Sequence, residues 1–161
     1  MKELDFKIKD NYLAIGDDCF NLNEILMGEI VKCKEQNSGY AIKLTFKDDF
    51  VNKWIILVEY STKNKEEILY NFHKLLKALN DNNPNFKLYS NKYFLNLGNV
   101  DYFYIQKNLL SKSTIVKSGK MSYVLNHSKK EYDLLKENLT RWDKKYRYLK
   151  WQIKIIILRL V

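Results

Sequence analysis

Proline appears once, glycine five times and cysteine twice in the 161 residues, and each scarcity excludes something. So little proline and glycine argues against a long unstructured linker, a collagen-like repeat or an array of turn-rich motifs. Cys19 and Cys33 are too few for a disulfide framework and lack a Cys-x-x-Cys spacing. They read as two partly buried thiols in a reducing compartment. The only histidines are His73 and His127. Neither has the spaced histidine, cysteine or carboxylate partners of a zinc site. His73 reads as a surface or boundary residue of a helix, and His127 as part of the turn chemistry beside Ser128. No Gly-x-Ser-x-Gly elbow occurs, and Asp17-Asp18 and Asp48-Asp49 fit turns, where aspartate bonds its own backbone. The expectation is a protein that is not an enzyme, with no cofactor, no metal and no small-molecule substrate. No apolar run is long enough to cross a bilayer as a helix. The opening Met1-Lys2-Glu3-Leu4-Asp5 carries acidic residues where a signal peptide would not. The expected location is the cytoplasm.

What is present is charge of one sign, unevenly placed. The 28 basic and 19 acidic residues give a formal net charge of +9. Residues 1–80 hold 12 lysines against 13 acidic groups, a net of −1, whereas residues 81–161 hold 13 lysines and 3 arginines against 6 acidic groups, a net of +10. An anionic partner for the second half is the direct reading: nucleic acid, acidic lipid or an acidic protein face. The 25 lysines and 17 asparagines are also what an AT-rich bacterial, phage or mobile-element genome would encode without any function behind them. With arginine so rare, dedicated base reading is not written here, because arginine dominates bidentate contacts to guanine and phosphate.

A weak internal repeat organises the chain. Leu13–Ile25 carries Asn21-Leu22-Asn23-Glu24-Ile25, and 75 residues later Leu88–Val100 carries Asn96-Leu97-Gly98-Asn99-Val100. A second correspondence, at an offset of 64, sets Asn64 and Glu67 against Ser128 and Glu131, both with capping-box spacing. After the first cap, Ile68, Leu69, Phe72, Leu75, Leu76 and Leu79 recur at helical spacing and predict an amphipathic helix. After the second, Tyr132, Leu135, Leu139 and Trp142 form a thinner stripe. Short strands are expected around Phe6–Ile8, Tyr12–Ala14, Leu26–Lys34, Tyr40–Phe46 and Trp54–Tyr60, the last apolar on both faces and so read as central. Asp81–Asn85, with the sole proline, reads as a linker. Beyond it, Phe86–Tyr89, Tyr93–Leu97, Val100–Lys107, Ser113–Lys117 and Met121–Leu125 read as strands. Lys117-Ser118-Gly119-Lys120 reads as a hairpin turn and not a phosphate loop. The expected domains are therefore 1–80, a strand-rich unit ending in a helix, the linker 81–85, and 86–161, a similar but basic unit.

In Tyr12–Ile25, Tyr40–Phe46, Trp54–Tyr60 and the helix Lys65–Leu79, with a weaker echo over residues 86–142, this layout resembles small bacterial proteins of pleckstrin-homology-like fold. The resemblance implies a non-catalytic domain for protein contacts, membrane headgroups or oligomerisation, and it carries no functional residue across. The fold class expected is α+β: antiparallel strands followed by one amphipathic helix, repeated twice, either pleckstrin-homology-like or a two-layer sandwich.

The tail alternates Trp151, Ile153, Ile155 and Ile157 with Gln152, Lys154 and Ile156, a final strand by its β-branched content. So apolar a strand must pair within the fold or with a second copy, or else act as a membrane-surface helix. These four residues are the expected oligomer or partner interface. Lys144, Lys145, Arg147, Lys150, Lys87 and Lys92 are the expected contacts to an anionic partner, with Tyr89, Tyr93, Tyr102, Phe103 and Tyr104 as possible stacking surfaces. The leading expectation is a protein-interaction or assembly module. The alternatives are electrostatic nucleic-acid binding through the second half and, third, anionic membrane binding through Lys144–Lys154 with Trp142 and Trp151.

Overall fold

A computed structural model describes residues 2–33, 39–47 and 55–138. Strand pairing dominates it. β1 (Lys7–Lys9), β2 (Tyr12–Ile15) and β3 (Asp18–Asn21) form one antiparallel three-stranded sheet. Its turns are made by residues suited to left-handed backbone: Asp10 and Asn11 at φ 50° and 66°, then Gly16 at φ 57°. β4 (Ile25–Lys32), β5 (Tyr40–Phe46), β6 (Ile55–Thr62), β7 (Phe86–Ser90) and β8 (Tyr93–Asn96) form a five-stranded sheet in the order β6-β5-β4-β8-β7. The third sheet is β11-β10-β9, from β9 (Tyr102–Lys107), β10 (Lys112–Ser118) and β11 (Met121–Asn126). Two helices complete the described chain: α1 (Lys65–Asn82) and the shorter α2 (Lys129–Asn138).

This is a β-rich protein and not the α+β fold expected from sequence. A strand set plus helix, repeated twice, would need each helix to close its own sheet. Instead β8 pairs back onto β4 and β7 pairs onto β8, so both strands that follow the 81–85 stretch extend the five-stranded sheet. β9 to β11 are left to make a sheet of their own, and α2 has 10 residues against the 18 of α1. Local pattern sets where strands begin and end, but which strand becomes whose neighbour is a non-local choice. The same limit explains β6. Read as central from its apolar run, it ends the sheet order among the described residues, while Trp54 lies outside them.

By its contacts the chain divides into Met1–Val100 with Ser118–Met121, and Asp101–Lys117 with the chain from Ser122 onward. The 81–85 stretch lies inside the first unit, where the Leu97 N–H bonds the Asn85 carbonyl at 2.9 Å. α1 begins at Asn64, whose side chain accepts from the Glu66 and Glu67 N–H groups at 2.9 and 3.4 Å, satisfying two of the orphan donors of the first turn. Its inward face, Ile68, Phe72, Leu75 and Leu79, is fully buried with Leu4, Leu13, Leu22, Ile25, Ile42, Leu44, Phe86 and Phe94 in one core. Within the sheet, Gly28 on β4 stands opposite Phe94 on β8, and a Cβ at Gly28 would lie 2.2 Å from the Phe94 ring. The N-terminal segment is tied to α1 by buried Asn71. Its Oδ1 accepts the Leu4 N–H at 2.6 Å, and its Nδ2 donates to the Lys2 carbonyl at 3.0 Å.

The second unit has a smaller core of its own. Phe103, Val116 and Leu125 from the sheet and Tyr132 from α2 are buried. Phe103 meets Tyr132 edge-on with centroids 5.1 Å apart.

Candidate functional site

The β9–β10 register places Tyr102 opposite Lys117, Tyr104 opposite Ile115 and Gln106 opposite Ser113 on one face of the third sheet. Side chains alternate along a strand, so Phe103 and Val116, also opposite one another, take the other face and the core. The Lys117 ammonium donates to the Ser122 hydroxyl, which adds β11 to the first face and puts Val124, two residues on, beside it. Tyr102 is half-buried and Tyr104 exposed, their rings stacked at 22° with centroids 6.2 Å apart. Ile115 is buried, while Val124 is two-thirds exposed. The result is a face with two near-parallel aromatic rings beside a lysine.

Charge singles out the same sheet. From Tyr102 to Lys130 the sequence has six lysines and no aspartate or glutamate. Lys107 and Lys112 are directly opposite each other in the register, both exposed and without an ion-pair partner among the described residues. Lys129, by contrast, is neutralised on α2 by Asp133 at 3.1 Å. Like charges held face to face across a strand pair are destabilising, so this part of the surface is arranged against its own folding energy. The acid-free run was available in the sequence. Splitting the charge at residue 80 averaged it away.

Several residues singled out from sequence stand elsewhere. Lys87, half-buried, is on β7, and exposed Lys92 is in the β7–β8 turn, both in the first unit. Lys144, Lys145, Arg147 and Lys150, and the tail residues Trp151, Ile153, Ile155 and Ile157, lie outside the described residues. Tyr89 and Tyr93 are buried with their rings 6.5 Å apart, which removes them as stacking surfaces. Burial raises the Tyr93 phenol above its ordinary value, and the Glu29 carboxylate opposite it on β4 adds to the shift. Cys19 is exposed and not partly buried, because β3 is a strand of a small sheet with an open face; Cys33 is half-buried. His73 is exposed on α1, and His127 Nδ1 is 3.0 Å from the Thr114 hydroxyl. Among the described residues no three His, Cys, Asp or Glu side chains gather as a metal site would require. Among the same residues no helix is long and apolar enough to cross a membrane.

No family model, curated protein or solved structure matches the chain.

Proposed function

We propose that the protein is a non-catalytic interaction module that docks on an acidic macromolecular surface through its second unit. The acid-free stretch Tyr102–Lys130, which runs through β9, β10 and β11 into the start of α2 and places Lys107, Lys112 and Lys117 on the sheet, carries this reading. The three strands carry no carboxylate of their own, and their lysines steer association over about a Debye length. Binding is favoured over chemistry by where the reactive side chains stand. Cys19 is on β3, Cys33 follows β4, His73 is on α1, and His127 belongs to the other unit. Two unpaired cysteines suit the cytoplasm as the place of action.

The test is fluorescence anisotropy of labelled poly-glutamate with the full chain as salt rises from about 50 to 300 mM, a range over which screened contacts weaken steeply. Binding should fall with salt and drop further in the K107Q/K112Q/K117Q variant. Absent binding at the lowest salt, or binding indifferent to the three lysines, overturns the proposal.

One observation favours a second reading, single-stranded nucleic acid: the stacked Tyr102–Tyr104 pair, with the Tyr104 ring exposed, beside Lys117. Base–aromatic stacking contributes about 1–3 kcal/mol per base. On this reading Tyr104→Ala weakens a labelled oligonucleotide by roughly fivefold or more and leaves poly-glutamate binding unchanged. An equal effect on both ligands removes the stacking role.

A further inference from the structure

The β9–β10 hairpin closes differently from the other hairpins whose turns lie among the described residues. The turns after β1, β2, β7 and β10 use Asp10-Asn11, Gly16-Asp17, Asn91-Lys92 and Gly119-Lys120, residues that turn chemistry selects. β9–β10 turns through Asn108-Leu109-Leu110-Ser111, with the Asn108 N–H donating to the Ser111 carbonyl at 2.8 Å. Neither leucine has a positive φ. Leu109 and Leu110 are 104% and 100% exposed, the most exposed large hydrophobic side chains among the described residues. Turn geometry does not ask for leucine at this tip, and no packing among the described residues uses it.

We infer that this tip inserts into the surface of an anionic lipid bilayer, with Leu109 and Leu110 among the acyl chains and Lys107 and Lys112 at the headgroups. The shape decides between partners. Two side chains projecting from a narrow convex tip find an apolar environment in a medium that yields around them. A nucleic acid offers no such medium, and a flat acidic protein face offers none either. The spacing agrees. At about 3.3 Å per residue, two residues set the lysines roughly 7 Å behind the leucines, the depth to which interfacial segments bury their apolar side. The lysine pair, unfavourable within the hairpin, becomes favourable against a negative leaflet, and Tyr102–Ser118 has no carboxylate to oppose it. The inference rests on the anion-directed reading of the second unit and adds the lipid as partner.

The experiment is co-sedimentation of the full chain with vesicles of phosphatidylcholine alone or mixed with phosphatidylserine. Poly-glutamate anisotropy and light scattering are run on the same samples. Wild-type protein should sediment with the mixed vesicles and not with the neutral ones. The L109N/L110N variant, altered only at exposed positions, should lose about tenfold or more of vesicle binding while keeping poly-glutamate binding. Vesicle binding that survives L109N/L110N overturns the inference, because lysines alone would then suffice. A dimer that dissolves in the variant, with no vesicle binding by wild type, overturns it in favour of a second copy as occupant. Poly-glutamate binding without vesicle binding sinks the lipid inference alone, and binding to neither sinks the anion-directed reading as well.

Discussion

Asn71 shows how one buried polar residue ties two separate segments of the first unit together. Fully buried on α1, it accepts the Leu4 N–H and donates to the carbonyls of Lys2 and Glu67. Replacement by alanine leaves the Leu4 amide and the Lys2 carbonyl without those partners, so Asn71→Ala should cost about 1–3 kcal/mol in urea unfolding. Replacing exposed Asn82, which caps only its own helix's Ala78 carbonyl, should cost about 0.5 kcal/mol or less. Nearby, Glu3 is held below the usual carboxylate range, first by its hydrogen bond with Lys74 at 2.7 Å and then by that charge. The same bond raises Lys74. A depressed carboxylate contributes above its unfolded pKa and loses that contribution as pH falls through its folded one. A raised lysine contributes below its unfolded pKa and loses it as pH rises through its folded one. The tether is therefore complete at neutral pH and fails in acid through Glu3 and in strong alkali through Lys74. Carboxylate titration by NMR should find the Glu3 midpoint moved upward in the K74M variant; an unmoved midpoint would mean that the pair does not form in solution.

At the scale of elements, the Asn-Leu step seen twice in the sequence forms the same local structure twice. Asn21 caps a one-turn 3-10 helix through the Asn23 N–H at 2.9 Å, and Asn96 caps another through the Gly98 N–H at 3.1 Å. The second turn then docks on the first. Asn96 Nδ2 donates to the Ile25 carbonyl at 3.0 Å, and Asn99 Nδ2 donates to the carbonyls of Asn23 and Ile25 at 2.6 and 2.8 Å. Because both amides share the Ile25 oxygen, Asn96→Ala and Asn99→Ala should be non-additive, with a coupling of about 0.5 kcal/mol or more in a double-mutant cycle. Strict additivity would separate the two bonds. The sequence showed the repeated Asn-Leu step, though not the 3-10 turns it forms, together with the α1 face and cap and the edges of most strands, because each is a local pattern of period or spacing. Sheet membership was not legible. Nothing in Phe86–Tyr89 or Tyr93–Leu97 distinguishes a strand that opens a second sheet from one that extends the first. The Leu109-Leu110 tip was missed for a related reason: two leucines between strands look like core until the hairpin that exposes them is closed.

For the whole molecule, the two units are built to different scales. The main core cluster of the first joins 12 large apolar side chains drawn from the N-terminal segment, β2, a 3-10 turn, four strands of the five-stranded sheet and an 18-residue helix. The second, within the described residues, packs three strands against a 10-residue helix. Burial per residue falls as a unit shrinks, and local opening free energies follow the apolar contacts that oppose them. Amides of β9–β11 should therefore exchange through openings of lower free energy than those of β4, β5 and β8. Phe103→Ala tests whether this is a separate opening or part of one cooperative melt. Phe103 is 3% exposed and packs edge-on against Tyr132, so its truncation should cost about 3–5 kcal/mol of the structure it holds. If the units open independently, F103A speeds exchange throughout β9–β11 and leaves β4, β5 and β8 as protected as before. If it speeds exchange in all of them alike, the chain melts as one cooperative block. The surface carried by β9–β11 would then be as rigid as the large core, and a docking face of low local stability would have to be given up.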